Sequence, residues 1–249
     1  MDKPLLYCAG TTAAVRYAAQ ILENKGIKVL WEPSDQAQFA LFDIPSFTLD
    51  GQLRGGKSLT TLLDTLPEGC RLIGGNMDVP SLKGWRTTDL LKKESYVSQN
   101  ARITAYCALQ LIGQALPMTA EEASILVIGW GRIGKVLTAL LSRIGAEVTV
   151  ASRDPRRIGA LNDLGVRIIR ADEAVPERYD MIVNTAPASM ISEEALLSCP
   201  EVILMDLASV KGLKRDDVIW ARGLPGIHAP KSSGKLIAKN VLAELEALI

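Results

Sequence analysis

A glycine-rich loop between an apolar run and a helical pattern constrains the fold of this chain more than any other feature. Gly129, Gly131 and Gly134 form a G-x-G-x-x-G pattern directly after the apolar run Ser124 to Ile128, and a second strand is predicted over Glu147 to Ala151. In such a unit the first glycine permits a tight turn, the second lets a pyrophosphate approach the backbone, and the third lets the helix pack on the strand. The free N–H groups at the helix start then face the phosphates. The segment therefore predicts a βαβ unit that binds a dinucleotide.

The end of the second strand indicates which dinucleotide is bound. An NAD site carries an acidic residue there, whereas this chain has Ser152 and Arg153, followed by Arg156 and Arg157. Arginine suits a 2′-phosphate because its guanidinium group binds phosphate through two parallel hydrogen bonds. We therefore expect NADP. NAD is the alternative, with Asp154 as a displaced ribose acceptor.

Composition excludes several classes of function. The 249 residues are 48% hydrophobic, which is enough for two domains with cores of their own. The formal net charge is zero and the basic residues form no block, which argues against nucleic acid or an anionic membrane as a partner. Neither a charged leader nor an apolar run of about 18 residues is present, so we expect a soluble cytoplasmic protein.

The four cysteines are widely spaced and form no C-x-x-C pair. This spacing predicts buried free thiols in a reducing compartment and no metal site. The residues concerned are Cys8, Cys70, Cys107 and Cys199.

Alternating strand and helix patterns predict an α/β protein with a Rossmann dinucleotide-binding domain and a smaller, flavodoxin-like N-terminal α/β domain. The expected boundaries are an N-terminal α/β substrate domain over 1–95, a connecting helix over 96–118, the Rossmann domain over 119–228 and a C-terminal helix over 229–249. In the first domain, Pro45 and Gly51 indicate turns on either side of a third short strand.

Two later apolar strands end in the tetrapeptides NTAP (184–187) and DLAS (206–209). Because strand ends line the ligand crevice of a parallel sheet, we expect them on the nicotinamide side. The segment GLPGIHAPK (223–231) predicts a rigid loop, after which Ser232 or Ser233 would cap a final helix. The residues expected to contact the cofactor are Gly129, Gly131, Arg132, Ile133, Gly134, Ser152, Arg153, Arg156, Asn184, Thr185, Ala186, Pro187, Asp206 and Ala208.

The segments GWGRIG, VNTAP, DLAS and GLPGIHAPKSSG together resemble the A subunit of bacterial dipicolinate synthase. The likeness extends from about Tyr96 to Leu242, and Asn100, Ala101 and Thr104 fall where that family carries its NA-x-x-TA stretch. It is weak over the first 85 residues. There the family has a Gly-Gly-Asp-x-Arg-like turn, whereas this chain has AGTT at 9–12.

The resemblance implies the architecture of D-2-hydroxyacid dehydrogenases and the formation of pyridine-2,6-dicarboxylate from a dihydro or hydroxy-tetrahydro precursor. It also implies a sporulating bacterium, partnership with a flavoprotein-like B subunit, and a homo-oligomer. Such a reaction requires two substrate carboxylates to be neutralised. Lys231 and Ser232, with Ser233 and the start of the last helix, would bind one carboxylate; Asn100, Arg102 and Thr104 would bind the other.

His228 is the only histidine in the chain. A 2-hydroxyacid dehydrogenase needs a histidine paired with a carboxylate as its acid and base, so His228 is a candidate for that role. The surrounding sequence does not supply the pairing, and the family that the chain resembles lacks this histidine. Two alternative functions therefore stay open: an NADP-dependent dehydrogenase or reductase of another small acid, and a non-catalytic nucleotide-binding partner of a flavoprotein.

Overall fold

The computed structural model describes residues 4–48, 50–154 and 165–246. The chain divides into two compact units, of which the first comprises the residues up to Asn100 together with those from Pro225 onward, and the second runs from Ala101 to Leu224. Each unit has a β-sheet of its own. The chain therefore returns to the first unit after it has completed the second.

The strands and helices alternate along both units. The strands are β1 (Leu5–Cys8), β2 (Lys28–Leu30), β3 (Phe39–Leu41), β4 (Arg71–Gly74), β5 (Arg86–Asp89), β6 (Ser124–Ile128), β7 (Glu147–Ser152), β8 (Arg167–Arg170), β9 (Met181–Asn184), β10 (Ile203–Asp206) and β11 (Ile219–Trp220). The α-helices are α1 (Ala13–Asn24), α2 (Leu59–Thr65), α3 (Glu94–Ala115), α4 (Arg132–Arg143), α5 (Glu193–Leu197), α6 (Leu224–His228) and α7 (Pro230–Glu246).

The sheet of the first unit has five parallel strands in the order β2-β1-β3-β4-β5. This is the flavodoxin-like order, and it confirms the fold predicted for the N-terminal part. β1 lies between β2 and β3, with Tyr7 opposite Leu30 and Ala40. On one face of the sheet, Tyr7, Phe42 and Leu72 belong to a cluster of buried apolar side chains. Burial on both faces explains why the inner strands β1, β3 and β4 are largely apolar.

The third strand lies earlier in the chain than the sequence predicts. The turn signals Pro45 and Gly51 favour a strand between them, but there Phe47 makes only an isolated antiparallel bridge with Leu53. The strand itself is β3, whose three residues are all buried and show no alternation that a pattern could detect. The polar edge strand β5 was not predicted, because its sequence RTTD contains no apolar residue.

The sheet of the second unit has six parallel strands in the order β11-β10-β9-β6-β7-β8. Read from the other edge, this is the classic order of the dinucleotide-binding fold. β6 is central, with Ile128 opposite both Ala151 and Asn184. The order reverses at β6 and β9, which places the ligand crevice beyond the carboxyl ends of these strands.

The loop predicted over residues 223–231 is largely helical. α6 occupies Leu224–His228, and α7 begins at Pro230, so Lys231 is the second residue of a helix. Ser232 and Ser233 therefore lie inside α7 and do not cap it, since the Ser233 N–H already donates to the Ala229 carbonyl at 3.0 Å.

α7 packs on α1 within the first unit. A Cβ on Gly234 would lie 2.6 Å from the Cβ of Tyr17, so only glycine permits this close approach. Ser233, next to it, is buried.

The last turn of α7 is tied to the first sheet by a charged cluster. The Glu244 carboxylate accepts hydrogen bonds from Arg71 at 3.1 Å and Thr88 at 2.8 Å, and it forms an ion pair with Lys93. Burial alone would raise the pKa of Glu244. The hydrogen bonds from Lys93, Thr88 and Arg71 and the positive charge of Lys93 outweigh this effect, so the pKa of Glu244 is lowered.

All four cysteines are free and buried, as the sequence predicts. Over the residues that the structure covers, no helix has the length and apolarity needed to cross a bilayer.

Replacing Glu244 by Gln should lower the free energy of unfolding by about 1 to 3 kcal/mol, because the amide cannot replace the charged acceptor of three donors. The loss should be largest above the usual glutamate pKa of 4.5 and shrink as the pH falls through the lowered pKa of Glu244, where the carboxylate is protonated in wild type. Urea unfolding between pH 3 and pH 7 measures this. Glu246→Gln, an exposed position on the same helix, is the control, and equal stability of the two variants would contradict the expectation.

Candidate nucleotide-binding site

The glycine loop joins β6 to α4 with the geometry of a phosphate-binding turn. Gly129 has a φ of 99°, which an L-residue with a side chain rarely adopts, and its N–H donates to the Ala151 carbonyl at 2.9 Å. Gly131 precedes the helix in an extended conformation, and the helix starts at Arg132. The chain therefore leaves the central strand, turns sharply and enters α4 within three residues.

The third glycine fixes how closely α4 approaches the sheet. A Cβ on Gly134 would lie 2.2 Å from the carbonyl oxygen of Gly129, which is far inside van der Waals contact. From the neighbouring strand end, the Thr185 hydroxyl donates to the Ile128 carbonyl at 2.8 Å and lies 3.3 Å from the Gly129 carbonyl. The loop is thus held between its own helix and the end of β9.

The second glycine borders open space. A Cβ on Gly131 would have no atom within 4 Å, although Gly129 and Gly134 are tightly enclosed. The α4 start also has no side-chain cap, so its first N–H groups stay available. Open space beside uncapped N–H groups fits a pyrophosphate, which binds through backbone amides and the positive end of the helix dipole.

The end of β7 carries the residues predicted to select the cofactor. Ser152 is half-buried, and its Oγ accepts a hydrogen bond from the Asp154 N–H at 3.3 Å. Arg153 is exposed. Arg156 and Arg157 lie outside the described residues.

Charges on the next strand end belong to the same region. Arg170 lies opposite Ser152 in the sheet, and it pairs with Asp172 through Nε–Oδ1 and Nη2–Oδ2 contacts of 3.0 and 3.1 Å. Asp172, and to a smaller extent Glu173 and then Asp154, raise the pKa of Arg170. Arg153 has no ion pair with any described residue, so its charge is uncompensated within the described part of the chain.

Two polar residues at the strand ends form a buried network. Asp206 accepts hydrogen bonds from the Asn184 amide at 3.0 Å, from the N–H groups of Gly212 and Leu213 at 2.7 and 3.0 Å, and from the Ala208 N–H at 2.9 Å. Asn184 and Asp206 are 1% and 0% exposed. Their side chains shape the loops after β9 and β10, while Thr185, Ala186 and Pro187 carry the more exposed part of that edge. The sequence indicated the strand ends, but nothing in it revealed that Gly212 and Leu213 donate to Asp206.

The residues predicted on the connecting helix do not share one face. Asn100 and Thr104 are one helical turn apart on α3, and Thr104 is buried. Arg102 is two positions from each of them and exposed, and side chains two apart on a helix do not face each other. The structure therefore places Asn100 and Thr104 on one face of α3 and Arg102 on another.

The candidates near the start of α7 are exposed apart from Ser233. Lys231 and Ser232 lie in its first turn, and neither has an ion pair or hydrogen bond to a described side chain. His228 ends α6, is exposed and pairs with no described carboxylate. The carboxylate partner of an acid/base histidine is thus lacking among the described residues.

Comparisons with known proteins agree with this geometry. The TrkA-N domain family matches residues 125–184, which run from β6 to the end of β9. The A subunit of dipicolinate synthase from Bacillus subtilis (strain 168) is 27% identical over 203 residues, or 75% of this chain and 68% of that protein. The chain resembles the A subunit of dipicolinate synthase. The resemblance inferred from the motifs is thereby confirmed.

Solved structures show the fold of this dipicolinate synthase-like chain. The A subunit of dipicolinate synthase from Bacillus halodurans superposes with a TM-score of 0.82 at 20% identity, covering 98% of this chain and 97% of the other. The NAD-complexed D-isomer specific 2-hydroxyacid dehydrogenase from Lactobacillus delbrueckii ssp. bulgaricus gives a TM-score of 0.58 at 11% identity, covering 99% and 97%. The dehydrogenase structure shares the fold, and the TrkA-N match indicates NAD(P) binding.

Replacing Gly131 by Val should abolish nucleotide binding, because the branched side chain would occupy the open space beside the first turn of α4. The fold should persist, since the backbone at Gly131 is extended and its Cβ position is empty. Calorimetric titration with NADPH and thermal unfolding measure the two properties. Gly134→Ala is the contrasting variant and should unfold at a lower temperature than Gly131→Val. NADPH binding by a folded Gly131→Val protein would overturn the site.

Proposed function

We propose that this protein is the NADP-dependent oxidoreductase subunit that forms pyridine-2,6-dicarboxylate from a dihydro or hydroxy-tetrahydro precursor. The observation that carries the proposal is the open phosphate-binding turn at Gly131 in a chain similar to the A subunit of dipicolinate synthase over 75% of its length. The dehydrogenase-like fold supports an oxidoreductase.

The proposed reaction requires the protein mainly to orient the substrate relative to the hydride acceptor. A dihydropyridine dicarboxylate becomes aromatic when one ring carbon loses a hydride and a second ring position loses a proton; a hydroxy-tetrahydro precursor must lose water as well. Bound NADP⁺ would supply the hydride acceptor. Aromatisation favours the step, so the main demand is to hold the reacting atoms at about 3 to 3.5 Å.

Residues from two helices are proposed to bind the substrate. Lys231, with Ser232 and the first N–H groups of α7, provides a positive charge and donors for a carboxylate. Asn100 and Thr104 provide neutral polar groups on one face of α3 for a second contact. Arg102 receives no role, because it lies on another face of that helix. The partner in the proposed reaction is a flavoprotein-like B subunit.

The choice of NADP rests on the charges at the ends of β7 and β8. Arg153 is exposed and unpaired among the described residues, whereas Arg170 is compensated by Asp172. Asp154, the alternative ribose acceptor, lies close enough to raise the pKa of Arg170 after the larger effect of Asp172. An exposed guanidinium without an ion pair to a described residue favours a 2′-phosphate over a 2′-hydroxyl.

Calorimetric titration should show that NADPH binds more tightly than NADH. Arg153→Asp should narrow or reverse the difference, because losing one charge-assisted phosphate contact costs about 1.5 to 3 kcal/mol, or roughly ten- to a hundredfold in affinity. Arg167→Asp is the matched control, since Arg167 begins β8 and so lies at the amino end of that strand, whereas Arg153 follows the carboxyl end of β7. A wild-type protein that prefers NADH would end the NADP assignment.

The proposed reaction can be assayed directly. The protein, its B-type partner, NADP⁺ and freshly made dihydrodipicolinate precursor should yield the aromatic product, detected by its ultraviolet absorbance. Lys231→Ala should lower the rate without weakening NADPH binding, because Lys231 and the glycine loop lie on different elements. Lys235→Ala, an exposed position one turn further along α7, is the control.

One observation favours the alternative of another small-acid substrate. In place of the Gly-Gly-Asp-x-Arg-like turn, this chain has Thr11 and Thr12, whose N–H and hydroxyl groups all donate to Asp43. If the mixture forms no aromatic product while the chain alone reduces a simple 2-oxo acid with NADPH, this alternative replaces the proposal. His228→Gln then decides the role of His228. If the protein binds NADPH but shows neither activity, the remaining function is that of a non-catalytic nucleotide-binding partner of a flavoprotein.

A further inference from the structure

A cavity of about 350 Å³ lies at the carboxyl ends of β1 and β2 in the first unit. Its lining includes Cys8, Gly10 and Thr11 after β1, Trp31 after β2, and the cations Arg16 and Lys57. In an open parallel sheet, ligands bind beyond the carboxyl ends of the strands, and β1 is one of the two strands, with β3, between which the order of this sheet reverses. The volume falls at the lower end of the range for small-molecule sites.

The lining carries two positive charges and no negative one. Neither Arg16 nor Lys57 forms an ion pair with a carboxylate in the described part of the chain. Burial, and secondarily the charge of Asp43, raises the pKa of the Cys8 thiol to about 12, so the thiol stays neutral at physiological pH. The cavity therefore favours an anion.

The walls of the cavity are held in place before any ligand arrives. Lys57 donates to the hydroxyl of the buried Tyr7 at 3.2 Å, which fixes one cation. The buried Asp43 carboxylate accepts four hydrogen bonds from Thr11 and Thr12, at 2.6 to 3.1 Å, which fixes the turn that precedes Arg16. A Cβ on Gly55 would lie 2.7 Å from Thr11, so the segment before Lys57 packs directly on that turn. Preorganised cations bind an anion with less loss of conformational entropy.

Trp31 adds a flat apolar surface to this charged site. Its side chain is 45% exposed although it lines the cavity. An indole face packs well against a planar ring, and such a contact buries apolar area on both partners. A planar ring that carries carboxylates could therefore stack on the indole, while its carboxylates bind the two cations.

We propose that Arg16, Lys57 and Trp31 form a binding site for a planar aromatic or heteroaromatic carboxylate in the first unit. Three observations support this site: the cavity itself, the two cations Arg16 and Lys57 without ion pairs to described residues, and the indole of Trp31. The choice of a pyridine dicarboxylate as ligand rests on the proposed function.

Pyridine-2,6-dicarboxylate is the probe, titrated by calorimetry and by tryptophan fluorescence without nucleotide. We expect saturable binding that weakens roughly tenfold or more in Arg16→Gln and in Lys57→Gln, since each removes a charge-assisted contact. Lys28→Gln, at the amino end of β2, is the matched control and should bind as wild type. Trp31→Phe should abolish the fluorescence response with only a small loss of affinity, whereas Trp85→Phe should keep the response.

Three outcomes would overturn the site. The first is unchanged affinity in folded Arg16→Gln and Lys57→Gln proteins. The second is equally tight binding of the uncharged pyridine-2,6-dicarboxamide, which would remove the role of charge. The third is equally tight binding of inorganic phosphate, which would make it a general anion site.

Titration of the wild-type protein and of these variants with NADPH distinguishes failure of the carboxylate site from failure of the proposed function. A wild-type protein that binds NADPH but does not bind the dicarboxylate overturns the carboxylate site and leaves the nucleotide site standing. Dicarboxylate binding by a wild-type protein that binds no nucleotide overturns the proposed function and leaves the carboxylate site standing.

Discussion

The contact between α4 and the carbonyl group of Gly129 determines the candidate nucleotide site. Because any side chain at Gly134 would collide with that carbonyl oxygen, α4 reaches its position on the sheet only with a glycine there. The position of α4 in turn aims its uncapped N–H groups at the open space beside Gly131. Thr185 stabilises the same arrangement from β9, because its hydroxyl binds the carbonyl at the end of β6. The strand order of the second unit places these groups at the point where the sheet reverses.

The sequence predicts those parts of the fold whose signals are local. The glycine loop and the strands on either side of it appear as short apolar segments, and they lie where they were expected. Buried polar networks give no such signal. The hydrogen bond between Arg71 and Glu244 joins residues 173 positions apart, and that between Asn184 and Asp206 joins residues 22 apart. Neither can be inferred until the fold brings the strands and helices together.

The segment around Pro225 and Pro230 shows how one local signal supports two structures. Proline and glycine favour turns, which is why the sequence predicts a loop over residues 223–231. Proline is also favoured in the first turn of a helix, where its missing N–H would have no partner. In the structure Pro225 lies in the first turn of α6 and Pro230 begins α7. The difference moves Lys231 from a loop to a helix start, where the positive end of the helix dipole adds to its charge.

The two units offer anions different kinds of donor. At the edge of the second sheet, backbone N–H groups and an empty Cβ position border the open space, which suits a phosphate that must come close to the chain. At the edge of the first sheet, the side chains of Arg16 and Lys57 face the cavity, which suits a carboxylate on a bulkier ring.

Each edge also contains a buried carboxylate that would repel an anion if its charge were not compensated. Asp43 and Asp206 each accept four hydrogen bonds from neighbouring loops. These donors hold each carboxylate in place and make it an anchor for the loop that shapes the site. The acidic residues at these strand ends therefore position the sites, while amides and cations make the contacts with ligand.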